Sequence, residues 1–231
     1  MIPKIKGFFI IIEFVMTVLM TVVLIYIFQK NSHAIRRAWG HLQTYFMNFK
    51  IIQKNEPNTE AKLILINHQS LVDIIALETI YPKDLCWVAK QELRDIPLFG
   101  HIIAAPKMIS IDRNDKRSII KIIKLSKERI NQGRTIALFP EGTRGQGEKL
   151  GDFHNGGKIL AEKLNLKVQP VVLVNTKHIF DSQKLTAHSG NISVIYLDII
   201  DPKKDENWFT TMRENMQKAL DDELANYTSN R

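Results

Sequence analysis

The feature that most constrains the fold is an alternation, from about residue 61 onward, of short apolar runs with longer amphipathic segments. Strands that alternate with helices in this way form layered α/β domains. The sequence therefore predicts an α/β fold in which helices flank a mixed, largely parallel central sheet. Strands are expected at 61–66, 85–89, 108–112, 135–139, 168–174 and 192–199, and helices at 71–80, 115–132, 155–165 and 207–226.

The N-terminal part of the chain has a different character. Residues 8–28 form a 21-residue stretch with a single charge, Glu13, which is long enough to cross a hydrocarbon core of about 30 Å. The next segment, 34–49, repeats its apolar positions at helical spacing and carries aromatics suited to the headgroup region. We expect two membrane-associated helices in a unit at 1–52, followed by an α/β domain at 53–231. Glu13 leaves open whether the first helix spans or re-enters the bilayer.

The basic excess of the chain indicates a polyanionic partner. It has 32 Lys and Arg against 24 Asp and Glu, a net charge of +8, which suits nucleic acid or an anionic membrane surface. The apolar N-terminus favours membrane lipids, and no motif typical of nucleic-acid binding is present. Basic residues are denser after the apolar stretch than before it. The main domain is therefore expected on the cytoplasmic side of the inner membrane, or of another cytoplasm-facing membrane.

A candidate catalytic pair follows the apolar run 63–66. His68 lies where this strand is expected to end, and Asp73 follows five positions later. An imidazole held by a carboxylate is a candidate general base near neutral pH. Because positions i and i+5 do not share a helix face, His68 must precede the helix, and Asp73 in the first turn must reach back to it.

The same residues also have a purely structural interpretation. Ser70, followed by Asp73 and the apolar run 74–77, fits the start of a helix with Ser70 as its N-cap. Asp73 would then only satisfy backbone donors and the helix dipole. These residues alone do not separate the two interpretations.

Two further polar clusters follow predicted strands. Asp112 and Arg113 come after 108–111, and the hexapeptide 139–144 comes after 135–138. Ligands of α/β sheets bind beyond the carboxyl ends of strands, and arginine forks there hold phosphate bidentately. Each cluster taken singly also fits an ordinary turn with a surface ion pair.

Four sequence blocks lie in order along residues 67–173. They read Asn-His-x-x-x-x-Asp at 67–73, Lys-x-Glu-Leu-x-x-x-Pro-x-x-Gly at 90–100 leading to Ile-Asp-Arg at 111–113, Phe-Pro-Glu-Gly-Thr-Arg at 139–144, and an apolar run around Pro170 at 168–173. Together they resemble the motifs of the glycerolipid acyltransferase family, in particular of 1-acyl-sn-glycerol-3-phosphate acyltransferases. The family often has a glycine shortly before Ile-Asp-Arg, where this chain has Ala-Pro-Lys at 105–107. That departure makes the identity of the acceptor less secure.

The resemblance implies an enzyme of phospholipid biosynthesis. It would transfer a fatty acyl group from acyl-CoA or acyl-carrier protein to the sn-2 hydroxyl of 1-acyl-glycerol-3-phosphate (lysophosphatidic acid), forming phosphatidic acid. His68 would be the general base and Asp73 its orienting partner, while Arg113 and Arg144 would hold the acceptor phosphate. The other expected acceptor-site residues are Glu141, Gly142, Thr143 and Lys107.

Two alternatives stay open at this point. The acceptor could be another lysophospholipid or an aminolipid, or the chain could be a non-catalytic membrane module that binds phospholipid. The second alternative explains the charge and the anchor but gives no reason for His68 beside Asp73. No metal and no cofactor beyond the acyl thioester is expected, since Cys86 is the only cysteine and no second histidine lies at a ligand spacing from His68.

Overall fold

The computed structural model of the protein describes residues 2–112, 115 and 117–229. Its strands are β1 (Phe49–Lys54), β2 (Leu63–Ile66), β3 (Leu85–Lys90), β4 (Ile109–Ile111), β5 (Thr135–Leu138), β6 (Val168–Val174), β7 (Phe180–Asp181), β8 (Thr186–Ala187) and β9 (Gly190–Tyr196). Its helices are α1 (Ile2–Ile27), α2 (Ser32–Met47), α3 (Val72–Ile80), α4 (Gln91–Asp95), α5 (His101–Ala104), α6 (Ser118–Asn131), α7 (Gly156–Leu164), α8 (Thr176–Ile179) and α9 (Trp208–Ser229).

The central sheet has seven strands in the order β1-β9-β6-β2-β5-β3-β4. The pair β6–β9 is antiparallel, and the other pairs are parallel. The central strands β2, β5 and β6 are buried along their whole length, which explains why they read as continuous apolar runs. The predicted α/β fold with a mixed, largely parallel sheet is confirmed, and β7 and β8 form a separate small hairpin.

The expected strands and helices are present, with ends shifted by a few residues, but the sequence does not predict β1. Residues 34–49 read as one helix, whereas α2 ends at Met47 and Asn48 adopts a left-handed φ of 55°. Asparagine tolerates this conformation better than most residues, and it turns the chain into the edge strand. The sheet therefore begins at Phe49, ahead of the expected boundary between residues 52 and 53.

Helices cover both faces of the sheet. On one face, α3 and the two N-terminal helices enclose a core that includes Met47, Ile64 and Leu77. On the other face, α6, α7 and α9 enclose a second core that includes Leu160 and Met212. The sheet is thus buried on both sides, as its apolar strands require.

Helices α1 and α2 pack against each other through a buried polar contact. The amide of Gln43 donates hydrogen bonds to Glu13 Oε1 at 2.7 Å and to Thr17 Oγ1 at 3.0 Å, and the indole of Trp39 also donates to Thr17. Glu13, the one charge in the apolar stretch, therefore lies in the interface between the helices. Such a contact removes much of the penalty of a carboxylate in an apolar helix.

In the described part of the chain, α1 is the one helix that is long and apolar enough to cross a bilayer. Both of its ends nevertheless contact the α/β domain. Near its start, Lys6 donates a hydrogen bond to Ser189 Oγ at 2.8 Å; near its end, the hydroxyl of Tyr26 lies 2.7 Å from Nδ1 of His101. Since the helix touches the domain at both ends, it lies along the domain instead of projecting away from it.

Candidate active site

Loops from three neighbouring strands meet at one edge of the sheet. Strands β5 and β6 flank β2 and run parallel to it, so the carboxyl ends of all three lie at the same edge. The loops that follow them begin at residues 67, 139 and 175. Polar residues of these three loops contact one another, as expected for a ligand site of an α/β sheet.

The predicted contact between His68 and Asp73 is present. Nδ1 of His68 lies 2.8 Å from Oδ2 of Asp73, which is fully buried in the first turn of α3. The same Oδ2 accepts backbone hydrogen bonds from Gln69 at 2.6 Å and Ser70 at 2.8 Å. Asp73 therefore satisfies helix-terminal donors and orients the imidazole at once, so the structural and catalytic interpretations are compatible.

The expected cap residue takes a different place from the predicted one. Helix α3 begins at Val72 with Leu71 at the N-cap position, one residue later than predicted. The Ser70 hydroxyl donates a 2.6 Å hydrogen bond to the carbonyl of Phe180 and accepts a longer one, at 3.3 Å, from the amide of Val72. Ser70 thus connects the start of α3 to β7 through the hydrogen bond from its hydroxyl to the carbonyl of Phe180.

Thr176 is a site residue that the sequence does not reveal. Its fully buried hydroxyl donates a 2.5 Å hydrogen bond to Oδ1 of Asp73. Both carboxylate oxygens are therefore engaged, Oδ1 by Thr176 and Oδ2 by His68 and the backbone. Thr176 is distant in sequence and belongs to none of the four blocks, so no spacing signal connects it with Asp73.

Aromatic stacking fixes the plane of the His68 ring. The ring stacks on Phe139 with centroids 3.8 Å apart, and Phe139 stacks in turn on Trp87 at 5.3 Å. The His68 side chain is 13% exposed. Because Nδ1 contacts Asp73, Nε2 is the nitrogen left to act on a substrate, and within the described residues it has no hydrogen-bond partner.

Asn67 has a structural role. Its side-chain amide donates to the carbonyl of Leu173 at 2.9 Å and its Oδ1 accepts the amide of Leu173 at 2.7 Å. Asn67 is fully buried, so this two-way contact joins the end of β2 to β6. It holds the residue before His68 in register with the neighbouring strand.

Glu141 supports the loop around the imidazole. Its Oε1 accepts the backbone N–H of His68 at 2.8 Å, and its Oε2 accepts that of Gly151 at 2.7 Å. Burial raises the pKa of the Glu141 carboxyl, and these two N–H groups partly offset the rise. The structure thus places Glu141 beside His68 as a loop support, and its contact with a substrate stays a prediction.

The rest of the hexapeptide forms a turn that presents an arginine. Gly142 adopts a φ of +68°, which favours glycine, and Thr143 is exposed. Nη1 of Arg144 donates to Ser182 Oγ at 3.1 Å. The residue is half-buried, and its Nε is buried without a hydrogen-bond partner among the described residues.

Two other residues, Arg113 and Lys107, are predicted from the sequence to contact the phosphate. Arg113 lies outside the described residues. Lys107 lies before the start of β4, and its carbonyl accepts hydrogen bonds from Arg129 and from Arg134, the residue before β5. Because β4 and β5 run parallel to β2, Lys107 is at the amino-terminal edge of the sheet, opposite His68. The structure therefore does not bring Lys107 to the site; spacing along the sequence did not show at which end of the strand it lies.

A cavity of about 420 Å³ lies between the ends of β4 and β5 and the starts of α6 and α7. Its wall includes the apolar side chains of Ile119, Ile122 and Phe139, the last of which stacks on His68. Asp112 and Asp115 also line it, and carboxylates disfavour a phosphate. Within the described residues, no group of three or more His, Cys, Asp or Glu side chains is arranged to hold a metal ion.

Known proteins resemble this chain in sequence and in fold. The family model described as Acyltransferase matches residues 48–174. The 1-acyl-sn-glycerol-3-phosphate acyltransferase of Helicobacter pylori is 46% identical over 163 residues, which cover 70% of this chain and 69% of that protein. The chloroplastic enzyme LPAT1 of Arabidopsis thaliana is 28% identical over 84% of this chain, which spans 55% of the plant protein.

A solved structure resembles the whole fold. The crystal structure of the 1-acyl-sn-glycerophosphate acyltransferase PlsC from Thermotoga maritima superposes on this chain with a TM-score of 0.75 and 22% identity. The match covers 97% of this chain and 95% of that one, so it includes α1 and α2 as well as the sheet. Since the family model covers more than half of the chain and the Helicobacter pylori relative is close in sequence, the chain belongs to the acyltransferase family.

Proposed function

We propose that the protein transfers a fatty acyl group from a thioester to the sn-2 hydroxyl of 1-acyl-glycerol-3-phosphate, forming phosphatidic acid. The observation that carries this proposal is the contact between Nδ1 of His68 and Asp73, which leaves Nε2 of a half-buried imidazole without a hydrogen-bond partner among the described residues. The Helicobacter pylori and Arabidopsis thaliana relatives are 1-acyl-sn-glycerol-3-phosphate acyltransferases, which favours a lysophosphatidic acid acceptor.

In the proposed mechanism, Nε2 of His68 removes the proton of the acceptor hydroxyl as its oxygen attacks the thioester carbonyl. A carbon–oxygen bond forms, the carbon–sulfur bond breaks, and the proton passes from the imidazolium to the departing thiolate. Asp73 fixes the tautomer of the neutral imidazole and stabilises the imidazolium that forms from it, in the manner of a serine–histidine–aspartate triad. General-base catalysis of this kind contributes about 10²- to 10⁴-fold in rate.

The acceptor phosphate is proposed to bind to Arg144 and Arg113. Arg144 is held by Ser182 through Nη1. Its Nη2 is proposed to donate to the anion, and Arg113 is proposed to add a second guanidinium. Two arginine forks suit a phosphate dianion geometrically and electrostatically. Gly142 and Thr143 lie on the same turn and are proposed to shape the glycerol site.

The donor is proposed to be acyl-CoA or acyl-carrier protein, as a co-substrate. No other cofactor enters the proposed reaction, because the thioester is already activated for attack by an alcohol. The cavity beside Phe139, with its largely apolar wall, suits an acyl chain better than a phosphate.

The membrane is proposed as the source of the acceptor. One side of α1 exposes large apolar side chains at helical spacing, namely Ile5, Phe8, Phe9, Ile12, Met16, Met20, Val23 and Ile27. Because α1 lies along the domain, this stripe suits a helix seated in the interfacial layer. We place the catalytic domain on the cytoplasmic side, where anionic lipids attract its net positive charge.

A panel of acceptors tests the proposal. Purified protein is incubated with acyl-CoA or acyl-carrier protein and with lysophosphatidic acid, a lysophospholipid of larger headgroup, or an aminolipid, and the products are identified by mass spectrometry. Phosphatidic acid is expected as the main product. A clear preference for another acceptor would replace the substrate and keep the chemistry, whereas no acyl transfer with any pair would contradict the proposed enzyme.

A further inference from the structure

An exposed apolar segment follows β3 at the edge of the sheet where the active site lies. In this segment, residues 93–99, Leu93 is 50% exposed, Ile96 44%, Leu98 67% and Phe99 36%. The segment begins in the last turn of α4. The preceding strand β3 contributes Trp87, which stacks on Phe139 beneath the His68 ring. Four large apolar side chains in contact with water beside an active site indicate a surface that something covers.

The backbone of segment 93–99 holds one of these side chains outward in an unfavourable conformation. Leu98 adopts a φ of +64°, which is rare for a bulky residue and favours glycine or asparagine. Hydrogen bonds from the amide of Phe99 to Pro97 and from Gly100 to Ile96 fix the turn. A Cβ at Gly100 would lie 1.9 Å from the carbonyl of Arg94, so glycine is needed there. Position 98 is different. Its left-handed backbone would also favour glycine, yet the residue there is a leucine, whose large side chain makes the conformation strained.

Segment 93–99 continues the exposed apolar side of α1. Helix α5 follows it directly and packs on the end of α1, where Val22, Ile25 and Ala105 form a buried cluster. The Tyr26 hydroxyl and the His101 ring also contact each other there. The exposed stripe of α1 ends at this same place, and segment 93–99 carries apolar surface from it towards the carboxyl edge of the sheet.

The charges of the segment indicate what kind of surface covers it. Its one basic side chain, Arg94, is exposed and donates to Ser110 Oγ at 3.2 Å. Asp95 within the segment and Glu92 just before it are also exposed, both on α4. Since the acidic side chains outnumber the basic one, the segment has no net electrostatic attraction for anionic headgroups. Its contact is apolar, which suits the acyl region of a bilayer.

We propose that segment 93–99 inserts into the bilayer beside the active site, as a lipid contact separate from α1 and α2. It would seal the site against the membrane so that an acceptor moves from the lipid layer to His68 without crossing water. The proposal rests on the proposed function only in taking the acceptor from a membrane. Insertion of the segment itself is measured without any acyl transfer.

Environment-sensitive labels test the insertion. Cys86 is buried, and burial raises the pKa of its thiol, so a cysteine introduced at an exposed position is labelled selectively. NBD is attached to Leu98→Cys and, as a matched control, to Ile120→Cys; Ile120 is 68% exposed on α6, against the opposite face of the sheet. On addition of neutral phosphatidylcholine vesicles, emission from position 98 is expected to rise and shift to the blue, and emission from position 120 to stay unchanged.

The result that would overturn the proposal is an unchanged spectrum at position 98. A third label at Phe9→Cys, on the exposed stripe of α1, tests the membrane association of α1 separately. If position 9 responds and position 98 does not, the membrane association of α1 stands and insertion of segment 93–99 is wrong. If neither responds, both are wrong. If position 98 responds while the protein shows no acyl transfer, the insertion stands and the proposed function fails.

A second variant tests the contribution of the Leu98 side chain to membrane binding without straining the backbone. Leu98→Gly fits the left-handed backbone and removes the apolar group. Loss of one inserted leucine is expected to weaken vesicle binding roughly ten- to hundredfold and to slow turnover of acceptor held in vesicles. Turnover of a short-chain acceptor below its micelle concentration should not change. Equal vesicle binding by Leu98→Gly and the wild type would contradict the inference.

Discussion

The hydroxyl of Thr176 donates a 2.5 Å hydrogen bond to Oδ1 of Asp73, across 103 residues of sequence. Asp73 receives its other contacts from its own loop, at Oδ2. Thr176 therefore supplies the one contact in the described structure that fixes the carboxylate from outside this loop. A carboxylate held at both oxygens cannot rotate away from the imidazole that it orients.

Thr176→Val is expected to lower kcat while leaving KM for both substrates nearly unchanged. The valine leaves Oδ1 buried without a partner, at a cost of about 1–3 kcal/mol. If that cost appears in the transition state, kcat falls roughly ten- to hundredfold. Steady-state kinetics measure the effect.

Thr176→Ser is the control, because it restores the hydroxyl. The serine variant should recover most of kcat. An equal loss in both variants would show that Thr176 acts only through packing.

Glu141→Gln is expected to destabilise the protein and inactivate it. The oxygen of the glutamine amide can accept a hydrogen bond from one of the two backbone N–H groups, that of His68 or that of Gly151. The NH₂ group of the amide then faces the other N–H group, and two donors cannot form a hydrogen bond. We expect a loss of about 1–3 kcal/mol in the free energy of unfolding, measured by urea denaturation. Glu148→Gln, at an exposed position of the same loop, should leave both stability and activity unchanged.

The same carboxyl gives the wild type a pH dependence of stability. Burial raises the folded-state pKa of Glu141 above the unfolded value near 4.5, so the folded state keeps its proton over a range in which the unfolded chain has lost it. Stability from this group is therefore greatest below pH 4.5 and falls as pH rises through the folded pKa. Compared with the wild type, Glu141→Gln should lack this fall; identical pH–stability slopes in the two proteins would contradict the assignment.

Arg36 is expected to secure α2 to the domain. Its guanidinium forms ion pairs with Glu78 and Asp84, and it is buried. Arg36→Ala leaves Glu78 as an unpaired buried charge, at a cost of about 3–5 kcal/mol, which thermal unfolding measures. Arg37→Ala is the control, since among the described residues Arg37 makes only a long contact, at 3.5 Å, with the carbonyl of Tyr81. Comparable losses in both variants would contradict this role.

Arg144→Ala is expected to raise KM for lysophosphatidic acid far more than KM for the thioester, because the guanidinium is assigned to the acceptor phosphate. Losing a charge-assisted hydrogen bond costs about 1.5–3 kcal/mol. Lys107→Ala is the matched control and should leave both constants unchanged, since Lys107 lies at the opposite edge of the sheet. A larger effect of Lys107→Ala on acceptor KM would reverse the placement of the phosphate.

The sequence predicted short-range features of the site better than long-range ones. His68 and Asp73 are separated by one turn of chain, so spacing and helix geometry were enough to place them in contact. Thr176 and Phe139 follow two other strands. Spacing along the chain does not show that the Thr176 hydroxyl contacts Asp73 or that the Phe139 ring stacks on the imidazole. Lys107 was misplaced because proximity to the Ile-Asp-Arg block along the chain does not reveal which end of β4 it occupies.

The fold shows the same contrast. Strands β2, β5 and β6 are buried on both faces, and their unbroken apolar runs made them predictable. Edge strand β1 is half exposed, and its sequence continues the apolar pattern of α2 up to Phe49. Its start depends on the left-handed backbone of Asn48, a conformation that pattern alone does not show.

The most direct test of the central claim is the turnover of His68→Ala with lysophosphatidic acid and an acyl thioester, measured beside the wild type. The wild type should form phosphatidic acid. The variant should lose at least about 10²- to 10⁴-fold in kcat, the contribution of a general base, while its circular dichroism and thermal unfolding match those of the wild type. A folded His68→Ala protein that turns over at a rate near that of the wild type would contradict the account.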